Sequence, residues 1–501
     1  MNITLISPYP DLFAYGIRIL SACLKKNNHN VKIIFLPNGI GVNYSEKMLD
    51  ALVELSADSD LNAISLMTDF LSKAIQISEY LRAKTSVPIL WGGIHTMLCP
   101  TQCLKYADMI CEGEGEDAFV ELANRLEAGE KNPQVAGIRY QDSETTNISQ
   151  RSLILDLDSL PFPDYAFDNQ FILDDRGVRL MNAEILTKYN TGMYATIATR
   201  GCPFSCTYCC NSTFNSINPK CSTVRRRGIE NLLLELVWAK ENIPNIDRIA
   251  LFDDAFMTYS KKSIEQFCEG YQTRVGLPLN IGGMTPTTFD KEKLGLLVGA
   301  GLNVVRMGIQ SGSDRTKKLY GRNYSNNTVI KAAHGINSFK DIIMVPAYDI
   351  IIDNPWEKRE DLVEKLMLLS ELPLPFMLNI FSLTLYPGSK LYEIAQESGL
   401  LETNPKVVEK NYLIVKNVYL NKLFILLNQY SRIGWRISPK MMNLLTNPWM
   451  SKVGISWSFY VLLKLGALVA RAFWVVFRIK ASWNAISSGQ WFRIIKYLKQ
   501  F

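Results

Sequence analysis

Acidic residues disappear from this sequence before its end. After Glu409 there is no aspartate or glutamate, while residues 410–501 carry 14 lysines and arginines, so a body of net charge −8 precedes a tail of +14. Parts so different in charge are expected to meet different partners. At the other end MNITLISPYPDLF has no basic start, no unbroken apolar run and no small-residue cleavage site. It therefore does not read as a secretory signal, and a cytoplasmic location is expected. In a reducing compartment the ten cysteines are expected as buried thiols or metal ligands rather than disulfides. Histidine is scarce, with three in the chain. No repeat stands out beyond an alternation of strands and helices, and no nucleic-acid partner is expected.

At 501 residues with 48% apolar and 20% charged residues, the chain is expected to be globular and to hold two or three domains. Short apolar runs at 3–7, 31–36, 63–67, 88–91 and 109–111 read as strands, with helical patterns at 15–26, 47–56, 71–84, 99–106 and 116–126. Such alternation predicts a doubly wound parallel sheet with a crevice at the carboxyl ends of its strands. A polar stretch and the proline-bearing LDSLPFPDYAF (157–167) predict a linker over 141–190. A second series follows, with strands at 194–199, 248–252, 279–282, 304–309, 342–352 and 377–383 and helices such as 229–241 and 359–371. Six βα units predict a barrel or part of one, with its site on the loops after the strands. From about Glu402 long apolar helical patterns take over. The expected division is 1–140, 141–190, 191–401 and 402–501.

The first barrel loop contains TRGCPFSCTYCC (199–210), where Cys202, Cys206 and Cys209 form C-x3-C-x2-C and Cys210 is extra. Three thiolates on one tight loop suit a four-iron cluster whose fourth iron stays open to another ligand. Structural zinc would want a fourth ligand, which an adjacent cysteine pointing away is poorly placed to give. Unligated thiols are the remaining alternative.

This loop resembles the signature of the radical S-adenosylmethionine (SAM) superfamily, down to Tyr208 before the third cysteine. The resemblance implies that Cys202, Cys206 and Cys209 bind a [4Fe–4S] cluster, that the open iron chelates SAM, and that Tyr208 lies against the adenine. LFDDAF (251–256) stands where these enzymes place a polar segment near the methionine end of SAM, without the usual Gly-Gly-Glu. Asp253 and Asp254 are thereby implied to meet SAM, substrate or a helix N-terminus. VRMGIQSGSDRTKKLYGR (305–322) resembles the fourth-strand segment and implies Gln310 and Ser311 near the ribose and carboxylate of SAM, with Arg322 as a charge partner. YDIIIDNPWEKREDL (348–362) and FSLTLYPGSKLYE (381–393) resemble the fifth and sixth segments.

The resemblance extends to the N-terminus, where PYPDLFAYGIRIL (8–20), WGGIHT (91–96) and CEGEGEDAF (111–119) look like the cobalamin-binding domain that precedes the barrel in one class of these enzymes. It implies a cobalamin site at Asp11, Phe13, Gly16, Gly92, Gly93, His95, Gly113, Glu114 and Gly115. Glycines after strands let backbone approach a bulky ligand. The G-x-G-x-x-G of a dinucleotide fold is absent, which counts against NAD. Also absent is the Asp-x-His-x-x-Gly that coordinates cobalt from below; Asp11, Phe13 and Gly16 have its spacing, and phenylalanine cannot ligate. His95 is expected either to cap a helix or to face the corrin. A doubly wound domain that has lost its cofactor is the alternative.

Together these imply a Rossmann-like cobalamin-binding domain, a partial (β/α)6 TIM-type radical SAM barrel and a basic helical C-terminal region. The implied activity is reductive cleavage of SAM and methylation of an unactivated carbon, with the methyl passed through cobalamin; cyclisation or oxidation without methyl transfer, and a scaffold with a structural cluster, are alternatives. A flavodoxin- or ferredoxin-type reductant and a small-molecule or lipid-like substrate are the implied partners. Six of nine tryptophans lie in the basic tail, beside VGISWSFYVLLKLGALVARAFWVVF (453–477). Lys464, Arg471 and Arg478 recur every seven residues along one helical stripe, and a central charge costs about 2.5–3.5 kcal/mol in a spanning helix. A helix lying on an anionic membrane surface is expected. A cap on the barrel, a dimer contact or a spanning helix are alternatives.

Overall fold

The computed structural model describes residues 1–141, 151–403 and 411–452. The stretch 453–477, on which the membrane expectation rests, lies outside these residues. Among the described residues no helix is long and apolar enough to cross a membrane.

The first sheet contains β1 (Asn2–Ser7), β2 (Asn30–Phe35), β3 (Leu61–Ser65), β4 (Ile89–Gly92), β5 (Met109–Cys111), β6 (Ile138–Tyr140), β7 (Gln170–Asp174) and β8 (Gly177–Leu180). Its order is β6-β5-β4-β3-β1-β2-β7-β8. Neighbours from β5 across to β7 are parallel, and the two outermost pairs are antiparallel. Strands covered on both faces are apolar at successive positions, as at Ile3, Leu5, Ile6, Ile33, Ile34 and Phe35, all buried. The helix Tyr15–Lys26 turns Ile17 and Leu24 inward and ends on Lys25 and Lys26, cations placed where its dipole favours them.

The linker expectation is corrected by this sheet. Within 141–190 the segment 170–180 is a hairpin that extends the first sheet through the register Ile33–Gln170 to Phe35–Ile172. The prolines before it end any ladder but do not stop the chain from docking. Buried Arg18 donates to the carbonyl of Asp164 at 2.7 Å and to Gln170 Oε1 at 2.9 Å, tying the stretch to the first domain.

The second sheet contains β9 (Met193–Thr196), then, after a two-stranded ribbon of β10 (Thr199–Arg200) and β11 (Arg225–Arg226), β12 (Arg248–Leu251), β13 (Leu279–Met284), β14 (Leu302–Gln310), β15 (Ala347–Ile352) and β16 (Met377–Ser382). Its order, β16-β15-β14-β13-β12-β9, is parallel throughout and leaves β9 and β16 as edges, so the barrel is partial. β15 begins at Ala347 rather than 342, because residues 338–342 form a turn and Pro346, which cannot donate to a ladder, stands just before the strand. The described part of the C-terminal region packs on the barrel. The helix Tyr419–Arg432 buries Leu423, Phe424 and Leu427, and the Asp353 carboxylate accepts from Asn421 Nδ2 at 2.7 Å and from the Lys416 amide at 2.9 Å.

Candidate cofactor site between two sheets

The cysteine loop leaves β9 and is held from several sides. Gly201 has φ +92, and a Cβ there would come within 2.6 Å of the carbonyls of Cys221 and Thr223, so only glycine fits before Cys202. The Thr207 amide donates to the Tyr320 carbonyl at 3.2 Å and its hydroxyl to the Leu319 carbonyl at 2.7 Å, fastening the loop to the segment after β14. The Cys209 amide donates to the Cys206 carbonyl at 3.0 Å, and Asn215 Nδ2 to the Cys202 carbonyl at 3.0 Å. Cys202 and Cys206 are buried and Cys209 half-buried. Burial pushes the Cys202 thiol up to about 11. It also raises that of Cys206, against the nearby Arg322 guanidinium.

Among the described residues, no three His, Cys, Asp or Glu side chains converge closely enough to hold one metal ion. A cluster in which each iron takes its own thiolate does not ask for such convergence. Three thiols on one braced loop, with Arg322 near, fit that donor set. Cys210 opens the helix Cys210–Ile217, and its thiol, next to that of Cys209, holds the Cys209 thiol below its usual range.

The residues expected at SAM divide into two groups. Tyr208 accepts at its hydroxyl from Arg322 Nε at 3.1 Å and Nη2 at 2.7 Å, and its ring meets Tyr320 edge-on at 5.1 Å. Gln310 is left-handed at φ +64, and its amide lies over Gly308, where an added Cβ would be 2.8 Å from Nε2. Asp254 lines the cavity described below, with Asn211 bonded to its carboxyl; burial holds that carboxyl above the usual range. Asp253 and Ser311 face backbone instead. Asp253 is buried and accepts from the amides of Ala198 (3.0 Å) and Thr199 (2.5 Å) and the Thr199 hydroxyl (2.6 Å). Ser311 is buried, with its hydroxyl accepting from the Ser313 amide at 3.2 Å.

A cavity of about 420 Å³ lies between the carboxyl ends of the two sheets. Gly16, Gly92, Gly93, Gly113, Glu114 and Gly115 line it from the first domain, and Thr199 to Gly201, Asn211, Phe252 and Asp254 from the barrel. A Cβ at Gly16 or Gly113 would meet no heavy atom within 4 Å, whereas one at Gly93 (φ +101) would strike the Leu66 carbonyl at 2.7 Å. Glycine thus keeps open a wall of the cavity as well as its turns, and these residues fit a bulky flat group.

Three expected cobalamin residues do not line the cavity. Asp11 Oδ1 accepts from the Phe13 amide at 3.0 Å, making a local turn. Phe13 leans across to the barrel and meets Phe252 edge-on at 5.8 Å. His95 is fully buried, its ring nitrogens within 3.0 Å of the Thr68 hydroxyl and 3.2 Å of Gln102 Oε1. Burial lowers its pKa, so it serves as a neutral core residue.

Residues that motif reading missed connect the two domains. Arg200 pairs with Glu114 at 3.2 Å and with Glu116, and Arg225 with Glu114 at 2.8 Å. Burial works against ionised Glu114, but Arg225 and Arg200 hold its carboxyl below the usual range. Arg200 was visible as the only cation inside TRGCPFSCTYCC; Arg225, in a run of three arginines, carried no signal.

Comparison with known proteins agrees with this geometry. Residues 1–123 match the B12 binding domain and residues 196–366 the Radical SAM superfamily. An uncharacterized methyltransferase of Pyrococcus horikoshii is 23% identical, covering 76% of this chain and 78% of its own. The anaerobic magnesium-protoporphyrin IX monomethyl ester cyclase of Cereibacter sphaeroides is 27% identical, covering 54% and 43%. The bacteriochlorophyllide d C-8(2)-methyltransferase of Chlorobaculum tepidum is 23% identical, covering 70% and 71%. The fold is shared with two solved structures. One is the cobalamin-dependent SAM radical enzyme OxsB with aqua-cobalamin bound (TM-score 0.63, 16% identity, covering 98% of this chain and 76% of that one). The other is the radical SAM methyltransferase TsrM of Kitasatospora setae with tryptophan and a SAM analogue bound (TM-score 0.62, 15% identity, covering 79% and 76%).

The fold and site define a radical SAM enzyme carried behind a B12-binding domain. The two matched domains are a B12 binding domain and a Radical SAM domain, and the cofactors that go with them are a [4Fe–4S] cluster, SAM and cobalamin.

Proposed function

We propose that this enzyme methylates an unactivated carbon of an apolar or lipid-like molecule. The observation that carries the reading is one cavity walled on one side by the glycines of the first domain and on the other by Gly201 and Asn211, which flank the cysteine loop, and by Asp254. When bound, the cluster with SAM supplies a hydrogen-abstracting radical, and cobalamin supplies a methyl group. The chain's own part is placement and exclusion of water. Cys202, Cys206 and Cys209 hold the cluster, Tyr208, Gln310, Asp254 and Arg322 surround SAM, and the open glycines receive the corrin. Phe252 and Phe13 close the wall between the domains with apolar surface.

The test is anaerobic turnover with reductant, SAM labelled in its methyl group and a lipid extract. Methyl transfer yields 5′-deoxyadenosine and S-adenosylhomocysteine in matched amounts, with label in a lipid-soluble product. 5′-Deoxyadenosine without S-adenosylhomocysteine would instead favour ring formation or oxidation, the chemistry to which the similarity with the cyclase points. Neither product would leave a scaffold.

A flavodoxin- or ferredoxin-type donor supplies the electron in this reading, and the basic tail holds the enzyme at the inner membrane face, where an apolar substrate resides. Sedimentation with anionic liposomes compares the full chain with one ending at Glu409. Equal recovery in the supernatant at low salt removes the membrane part of the proposal.

A further inference from the structure

The open face of the partial barrel carries a cation with half of its hydrogen-bonding capacity unused. Along β14, Val305, Met307 and Ile309 are buried toward the helices, so Arg306, Gly308 and Gln310 lie on the opposite face, toward the lumen. Arg306 is half-exposed there, its side chain at 50% of full accessibility. Its Nε donates to both oxygens of Asp349 on β15, at 2.8 and 2.7 Å. Asn379 on β16 donates to the same carboxylate at 2.8 Å and so fixes it from the other side. The guanidinium lies over the ring of Phe381, 5.7 Å from its centroid, and Phe381 packs on Tyr412 at 5.9 Å. Nη1 and Nη2 have no acceptor among the described residues.

This arrangement holds an arginine rigidly by one edge while presenting the other to the lumen. The free edge has two parallel N–H donors, the geometry that binds a carboxylate or phosphate with two bonds. The fixed edge is the part held by Asp349, and the free edge is the accessible part of the side chain. Asn280, which faces the same lumen through its register with Val304, keeps a buried and unpartnered Oδ1 that could accept from a ligand. On the loop after β16, the Tyr386 hydroxyl is 3.4 Å from the Asp69 carboxylate of the first domain. Arg306 stands four residues before Gln310, about 13 Å along the strand.

We propose that Arg306 anchors an anionic group of the substrate, a carboxylate or a phosphate, so that the substrate is an amphiphilic acid whose apolar part reaches up the lumen to the cofactor cavity. The inference rests on the methyltransferase reading for the identity of the ligand as substrate. Binding itself is measured without turnover, so the two fail separately.

Isothermal titration calorimetry on the cluster- and cobalamin-loaded enzyme would compare dodecanoate, dodecyl phosphate and dodecanol. At least one acid binds the parent enzyme ten times more tightly than the alcohol, and whichever acid does so identifies the carboxylate or the phosphate as the anchor's ligand. Arg306→Gln removes that preference, while Arg306→Lys keeps part of it; dodecanol binding is the same in all three. Iron and cobalamin bound per chain, equal to the parent's in each variant, report an intact cofactor site. If Arg306→Gln fails to fold because Asp349 is left unpaired, Arg306→Gln with Asp349→Asn carries the same comparison. An alcohol that binds as tightly as both acids, or acid binding untouched by Arg306→Gln, overturns the assignment. Failure of SAM cleavage in the parent enzyme counts against the methyltransferase reading and leaves the anchor to the calorimetry.

Discussion

Arg200 donates from the strand that opens the cysteine loop to Glu114, the residue between two cavity-lining glycines of the other domain, at 3.2 Å. One side chain therefore links the turn that leads into Cys202 with a glycine turn that lines the cavity. Glu116, with 7% of its side chain accessible, has Arg200 as its cation. In a site whose two cofactors must face each other, such a clamp sets their relative position as well as holding the domains together.

Removing one member of a buried ion pair strands the other. Arg200→Met is expected to lower the unfolding free energy of the apo-protein by about 3–5 kcal/mol, measured by urea denaturation. Arg200→Met with Glu116→Gln recovers part of that loss because the orphaned carboxylate is gone. Equal stability of the single variant and the parent would show that the clamp does not hold the domains.

Cys206→Ala is expected to abolish the cluster and SAM cleavage, since the loop then offers two thiolates in place of three. Iron and sulfide assays, about four of each per parent chain for a four-iron cluster, and release of 5′-deoxyadenosine check it. Cys210→Ala retains both, because the other three thiolates already supply the ligands of a cluster whose fourth iron stays open. Full cleavage in Cys206→Ala would refute the ligand assignment.

Regular patterns were legible in the sequence and long-range pairings were not. The helices Tyr15–Lys26, Leu71–Lys84 and Arg359–Glu371 have the limits that apolar periodicity predicts, and all six barrel strands are present. Periodicity could not show that the hairpin at 170–180 returns to β2, because partner strands leave no mark on each other's local pattern. The same limit applies to side chains. Asp253 and Asp254 are adjacent and chemically alike, yet one is spent on backbone amides and the other lines the cavity. His95 shares a motif with Gly92 and Gly93 but turns into the core. A motif locates a turn; which face each of its side chains takes depends on elements far away in the chain.

Gly16 tests the cavity by filling it. Gly16→Leu directs a side chain into space that no protein atom occupies within 4 Å of its Cβ, so little strain within the fold is expected. Cobalamin bound per chain is expected to fall at least tenfold, read from the visible spectrum, with iron content unchanged. In the parent enzyme the electron paramagnetic resonance spectrum of cob(II)alamin is expected to show no nitrogen superhyperfine splitting, because Phe13, at the spacing where a lower histidine ligand would stand, cannot ligate and packs on Phe252. Unchanged cobalamin content in Gly16→Leu would place the corrin elsewhere.

Asp253 gives the apo-protein a pH signature of defined sign. Burial raises its carboxyl to about 6, against the opposing hydrogen bonds from Thr199 and Ala198, with Asp254 adding to the rise. The unfolded chain titrates this group near 4, so between about pH 4 and 6 the native state holds the proton that the unfolded state has lost. The stabilisation is complete below about pH 4, is lost as pH rises through about 6, and is constant at its lower value above. The span is up to about 3 kcal/mol at roughly 1.36 kcal/mol per pH unit. Asp253→Asn cannot titrate and is expected to flatten this part of the stability profile. It also loosens the cysteine loop, since the amide can offer only one acceptor atom where the carboxylate meets the amides of Ala198 and Thr199. Chemical denaturation of both proteins at half-unit steps from pH 4 to pH 8 separates the two effects: a change in slope below about pH 6 belongs to titration, and a constant offset above it to the lost hydrogen bond. Parallel profiles across the whole range would mean that Asp253 is ionised in the fold as it is in water.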